Sequence, residues 1–310
     1  MEIIDFSKRL RADFSDGCFN YYPMGDMHIG TRSHADHALS TCVKEVEGDP
    51  IGVWSDGGDS ISGICLQDKR WNPAMHYGAY DTIDKQVNLY KKKLNPIKDR
   101  MLWILTGNHV ETNIHIANAV KMIGEAWNVA WPGECVKAKF NKFYVWDIHG
   151  VGSVNSMAGD FRQRVTNEGI RVKRKLRLLQ GDCSLMLMHH IHKMRWVSPD
   201  FENYSVISDK KNPQKLKTAY AQPFVNPDGT IHEDNRWYLS GGAFQLSQML
   251  NEMRTDIDGK EYKAVMDTYA LKAMYGPSEM GMWRVRIRNW GIEGCDRGIA
   301  QDDVIKWKTI

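Results

Sequence analysis

Five apolar segments of the sequence each run directly into side chains that bind divalent metal ions. FNYYPMGDMH, from Phe19, ends on Asp26 and His28; PIGVWSDGGD, from Pro50, ends on Asp59; MLWILTGNH, from Met101, ends on Asn108 and His109. FYVWDIHG, from Phe143, leads to His149, and CSLMLMHHIH, from Cys183, leads to His190 and His192. Taken singly, each is an ordinary polar group. Together they supply the oxygen and imidazole donors that two hard or borderline divalent ions need. Residues two apart on an extended strand point to the same side, so Asp26 and His28 are expected to grip one ion from one strand. The same alternation applies to His190 and His192. Glycines at 25, 30, 57, 58, 107 and 150 permit tight turns beside such ligands.

These residues need a scaffold that brings separate strand ends together. The five segments read as buried strands, and helical spacing appears between them. HADHALSTCVKEVEG places Ala38, Cys42, Val43 and Val46 on one face, and TIDKQVNLYKKKL does the same with Ile83, Val87, Tyr90 and Leu94. Strands alternating with helices predict an α/β fold with a parallel or mixed sheet, whose sites gather beyond the carboxyl ends of the strands. After His192 the pattern changes. SPDFENYSVISDKKNPQKLK reads as an insertion or long loop, with short strands near RWYLSGGAF and GMWRVRIRN. The chain is expected to form one domain over 1–310, with its motif-bearing core at about 19–195 and residues 196–310 completing it or adding a small cap.

The ordered set GDMH, GGD, GNH, DIHG and HHIH resembles the signature of the calcineurin-like metallophosphoesterases, in particular their compact phage and bacterial forms. That resemblance implies a sandwich of two mixed β-sheets flanked by helices. It implies that Asp26 and His28 bind one metal, that Asp59 bridges both, and that Asn108 and His149 bind the second. His190 would join the second metal and His192 the first. His109 would lie beside the substrate and assist the leaving group without binding an ion. Manganese is the ion the family suggests, with Fe, Ni, Co or Zn compatible with mixed N and O donors. The implied reaction is hydrolysis of a phosphate ester by in-line attack of a hydroxide bridging the two ions. The sequence departs from the family at Ser62, where a second acid is usual, at Val110, with Glu111 one place late, and at His189, where the closing motif has Gly.

Composition narrows the partners. Charged residues make up 25% of the chain against 42% hydrophobic, which excludes wholesale disorder. The start, MEIIDFSKRLRADFS, lacks an apolar run of leader length and no later stretch matches a membrane span, so a cytoplasmic protein without a membrane is expected. Six scattered cysteines without a CxxC pair argue against a disulfide framework. FRQRVTNEGIRVKRKLRLLQ carries Arg171, Arg174 and Arg177 among other cations, above an apolar stripe of Val172, Leu176 and Leu179. It reads either as a solvated helix face or as a track for the phosphates of DNA or RNA. An arginine typical of the protein phosphatases in this superfamily is missing. A phosphodiesterase of nucleic acid or nucleotides is therefore the leading expectation, a phosphomonoesterase the alternative, and a non-catalytic metal-binding or structural protein the third. The oligomeric state is not encoded in any of these features.

Overall fold

The computed structural model describes residues 3–14, 18–66, 68, 71, 82–108, 114–141, 143–199, 203–207, 216–220, 226–246, 253–255, 261–263, 278–288 and 304–308. In chain order the strands are β1 (Ile3–Asp5), β2 (Cys18–Met24), β3 (Gly52–Asp56), β4 (Met101–Ile104), β5 (Cys135–Phe140), β6 (Phe143–Ile148), β7 (Leu185–Met188) and β8 (Arg195–Val197). They continue with β9 (Asn203–Ile207), β10 (Leu216–Tyr220), β11 (Trp237–Ser240), β12 (Met253–Thr255), β13 (Glu261–Lys263), β14 (Gly281–Arg288) and β15 (Val304–Lys308). The helices are α1 (Ser7–Asp13), α2 (Asp36–Gly48), α3 (Ile83–Leu94), α4 (Ile114–Trp127) and α5 (Phe161–Leu176).

Two mixed sheets result. One has the order β1-β5-β6-β7-β11-β8 and the other β15-β14-β2-β3-β4. In the first, β6, β7 and β11 are mutually parallel, and in the second, β2, β3 and β4 are. Five of these six strands are the apolar segments recognised above, and the candidate metal-binding residues of all five follow their carboxyl ends. Residues beyond 193 supply β8 and β11 to one sheet and β14 and β15 to the other, so they extend both sheets. The segment read as a long loop contains β9 and the start of β10, which pair as an antiparallel hairpin.

Strand alternation assigns the layers. Phe19, Tyr21, Val53, Leu102, Val145, Leu185, Leu187 and Leu239 share the core between the sheets, joined by Val285 and Ile287. Their neighbours face outward. Tyr22, Met24, Trp54 and Ile104 pack under Leu39, Cys42, Val46, Val87, Tyr90 and Leu94 of α2 and α3. On the other side Trp146, Met186, Met188 and Tyr238 pack under Val172 and Leu176 of α5. The architecture is thus an α/β sandwich with helices outside both sheets. Asp160 caps α5 by accepting a hydrogen bond from the Gln163 amide at 2.8 Å. No helix among the described residues is long and apolar enough to cross a membrane.

Candidate metal centre

Loops leaving β2, β3, β4, β6 and β7 meet at one end of the sandwich. The first two run side by side: the Gly57 amide donates to the Met24 carbonyl at 2.6 Å, Asp26 to Gly58 at 2.9 Å, and His28 to Asp59 at 2.9 Å. The His190 amide donates to Asp26 Oδ2 at 2.8 Å and so ties the β7 loop to the β2 loop. Two sets of donor atoms result, Asp26 with His28 and His192, and Asp59 with His149 and His190, each set within 4.8 Å.

The expectation from strand alternation needs correction. Strands β2 and β7 end at Met24 and Met188, before any ligand. Asp26, His28, Asp59, His190 and His192 instead adopt left-handed backbone, with φ of 49°, 47°, 50°, 71° and 51°. That region disfavours every residue with a Cβ, costing about 1–3 kcal/mol for each. Asp26 and His28 still share a set, through the loop's alternation. His190 and His192 do not, and each serves a different set.

Asp59 lies between the two sets: its Oδ2 is 3.3 Å from His149 Nε2 and 4.0 Å from His28 Nε2. Asn108, just beyond β4, places Oδ1 3.1 Å from both His149 Nε2 and His190 Nδ1. Gly107 makes this approach possible, because a Cβ there would sit 1.8 Å from Asp59 Oδ1. His109, Val110 and Glu111 lie outside the described residues. Asp56, the other carboxylate of its segment, belongs to neither set. It is buried and accepts hydrogen bonds from the Gly58 amide at 3.0 Å and the Tyr90 hydroxyl at 2.8 Å, and burial pushes its pKa up to about 6. Ser62 is buried in the same loop.

The donors fit cations. His149 Nδ1 is 2.8 Å from the Gly57 carbonyl, to which it can only donate, so a neutral His149 turns the lone pair of Nε2 toward Asn108 Oδ1 and Asp59 Oδ2. Three acceptors facing one another call for a positive charge among them. In the other set Asp26 Oδ1 is buried without a hydrogen bond, 3.4 Å from His192 Nε2, while His28 Nε2 and His192 Nε2 stand 3.3 Å apart. Protons respond to the same demand. Burial opposes charge on His149, but the Asp59 carboxylate outweighs it and raises its pKa to about 10. Burial likewise opposes charge on His192, which Asp26 nevertheless raises, whereas burial prevails at His190 and lowers it. Asp26 is held below the usual carboxylate range, where His192 outweighs the burial penalty.

The cationic segment forms α5 as its apolar stripe predicts, with Val172 and Leu176 buried; Leu179 falls beyond the helix end. Its arginines are not equivalent. Arg177 pairs with Glu233 at 2.8 Å and Arg171 donates to the Asn155 carbonyl, while Arg174 is exposed. Among the described residues, none of the three contacts a member of either set by a hydrogen bond or ion pair. Glu168 is no counter-charge on that face; it is buried, accepting from Lys193 at 2.6 Å and from Arg195 at 2.7 Å. Two further residues under the centre, Asp147 and His189, lie within the DIHG and HHIH segments but belong to neither set. The signal for Asp147 is its place in β6, where it takes the inward phase of Phe143 and Val145.

No protein-family model and no curated protein matches the chain. Among solved structures it is similar to one described as GAP50, the anchor in the inner membrane complex of Plasmodium, at 11% identity over 88% of this chain and 82% of that one. The TM-score is 0.37, a likeness that carries no argument about fold or activity.

Proposed function

We propose that the chain is a two-metal phosphoesterase of the calcineurin-like kind, acting on phosphodiesters of nucleic acid or nucleotides. The observation that supports this most strongly is the convergence of Asp26, His28, His192, Asp59, His149, His190 and Asn108 from five strand ends into two adjoining sets. Two divalent ions held there would supply an activated water and neutralise charge on a phosphoryl group. The chain's own part is to hold the donors in place. Asp59 serves both sets, Asn108 brings Oδ1 beside His149 and His190 as a further donor atom for an ion, and the Gly57 carbonyl fixes the tautomer of His149. His109, following Asn108 in sequence, is assigned proton donation to the leaving alkoxide.

Arg174 and its exposed neighbours on α5 support a polymeric substrate. A second reading, a phosphomonoesterase of small substrates, is favoured by the internal engagement of Arg171 and Arg177, which leaves a shorter cationic track. Metal analysis with Mn²⁺-supported turnover of bis-p-nitrophenyl phosphate, p-nitrophenyl phosphate, cyclic nucleotides and DNA separates the two. Faster diester than monoester cleavage is expected, and the reverse selects the second reading. Two bound ions with no turnover of any ester would sink both.

A further inference from the structure

Beneath the two sets lies an imidazole that belongs to neither. We infer that His189 is a positioning residue for the metal centre: tied to Asp147, it fills a space bounded by Gly25, Gly57 and Gly241 and thereby sets the spacing of the loops that carry the ligands. This inference rests on the metal-centre reading above.

His189 is fully buried, with Nε2 3.1 Å from Asp147 Oδ1, and the other Asp147 oxygen accepts from Trp103 Nε1 at 3.0 Å. The chain of contacts runs from β4 in one sheet, through β6 in the other, to the loop after β7. A Cβ on Gly25 would stand 2.6 Å from the His189 ring, one on Gly57 2.1 Å, and one on Gly241 2.4 Å. None of these three glycines has the positive φ that would demand glycine. For each, the nearest obstacle to a side chain is His189 itself. The glycines are therefore explained by the ring.

Each wall of that space leads to a ligand. Gly25 precedes Asp26, and the Gly57 carbonyl orients His149. The turn after Gly241 returns to Asp26, whose carbonyl accepts from the Phe244 amide at 2.9 Å. His189 also donates its own amide to the His149 carbonyl at 3.1 Å, and its carbonyl accepts from Ile191 at 2.8 Å, between His190 and His192. Volume alone does not account for a histidine here, because its Nδ1 is buried without a hydrogen bond, a cost an apolar side chain would avoid. What an apolar side chain lacks is the hydrogen bond to Asp147, which fixes the ring's orientation.

The test is Mn²⁺ titration calorimetry, with manganese EPR to read coupling between the ions, on wild type, Gly57→Ala, His189→Gly, the Gly57→Ala/His189→Gly pair and Asp147→Asn. Circular dichroism checks folding, and titrations run well below the melting temperature. Gly57→Ala is expected to lose two-ion binding, and His189→Gly to recover part of it in the double variant. His189→Gly and Asp147→Asn should each weaken Mn²⁺ binding about 10- to 100-fold, the scale of residues that support metal ligands, with altered EPR coupling. A purely structural role would lower the melting temperature and leave affinity and coupling unchanged, which overturns the inference. So would a double variant no better than Gly57→Ala. Should His189→Gly fail to fold, Asp147→Asn decides, since it keeps the ring's volume and, with the amide oxygen still accepting from Trp103, replaces the charged tether at His189 by a neutral one. Wild-type protein that binds no divalent ion overturns the metal-centre reading and this inference with it; two ions in wild type with unperturbed variants overturn this inference alone.

Discussion

The two ligand sets use the same donor types but are held differently. Around Asp59, His149 and His190, hydrogen bonds hold the frame: His149 Nδ1 donates to the Gly57 carbonyl, and the His190 backbone amide donates to the Asp26 carboxylate. Around Asp26, His28 and His192, the His192 side chain is 25% exposed and a carboxylate oxygen remains without a hydrogen bond. Donors already held in place lose less freedom on binding. The set around Asp59 should therefore bind its ion more tightly, and the set around Asp26 should exchange its ion more readily.

The largest effect comes from removing what the sets share. Asp59→Asn should weaken both sites by more than about 100-fold in Mn²⁺ calorimetry, because its carboxylate offsets the repulsion between two cations. Asp56→Asn should leave both intact. Normal two-ion binding in Asp59→Asn, with loss in Asp56→Asn, would assign the shared role to the wrong carboxylate.

Substitutions confined to one set sharpen the contrast. Asn108→Ala should cost about 10- to 100-fold at the tighter site and little at the other, while His192→Ala should do the opposite. Competition between Mn²⁺ and Zn²⁺ followed by EPR distinguishes them. Equal losses at both sites from either variant would mean that the sets do not behave as separate sites.

A smaller effect follows from pH. The pKa of His149 is raised to about 10, above its ordinary 6.5, so its contribution to stability is complete below about pH 6.5 and is lost as pH climbs toward 10. Metal-stripped protein should accordingly melt roughly 5 °C lower at pH 9.5 than at pH 7. Protein saturated with Mn²⁺ should show a weaker trend, and His149→Ala should flatten it. A melting temperature that rises over this range would contradict the pairing of His149 with Asp59.

The smallest effect lies furthest from the ligands. Arg174→Glu should raise KM for DNA a few-fold, with steeper loss at low salt, and leave Mn²⁺ affinity and a small chromogenic diester unchanged. Arg177→Glu places two acids together at Glu233 and should instead cost about 1 kcal/mol of stability. Equal effects of Arg174→Glu on both substrates would remove α5 from the substrate path.

Legibility in the sequence followed physical locality. Strands β2, β3, β4, β6 and β7 are apolar runs whose pattern is local, and the stripes of α2 and α3 match their buried faces. The gathering of the candidate donor groups was readable because strand ends in such sheets converge. Strand β5 carries two lysines in CVKAKF and has no clean apolar run, and the β9–β10 hairpin hides in a polar stretch. Left-handed backbone at Asp26 and His28 was invisible because neither is glycine, and it accompanies pairing with the loop after β3, remote in sequence. His189 shows in the sequence only as a departure from the closing motif. Its meaning depends on three glycines far apart in sequence that only the fold assembles.

The left-handed residues also limit how this chain can vary in length. Loops between strands ordinarily absorb insertions and deletions more easily than the elements they join. Here, removing one residue just before Asp26, His28, Asp59 or His190 would pass the left-handed conformation to Met27, Ile29, Ser60 or Ile191. β-Branched isoleucine resists that conformation most strongly. The loops after β2, β3 and β7 should therefore be among the least editable parts of the chain. A deletion scan read by yield of folded protein would show cold spots there even under selection for folding alone. Stereochemistry would then hold these loops to one length before catalysis imposes any demand.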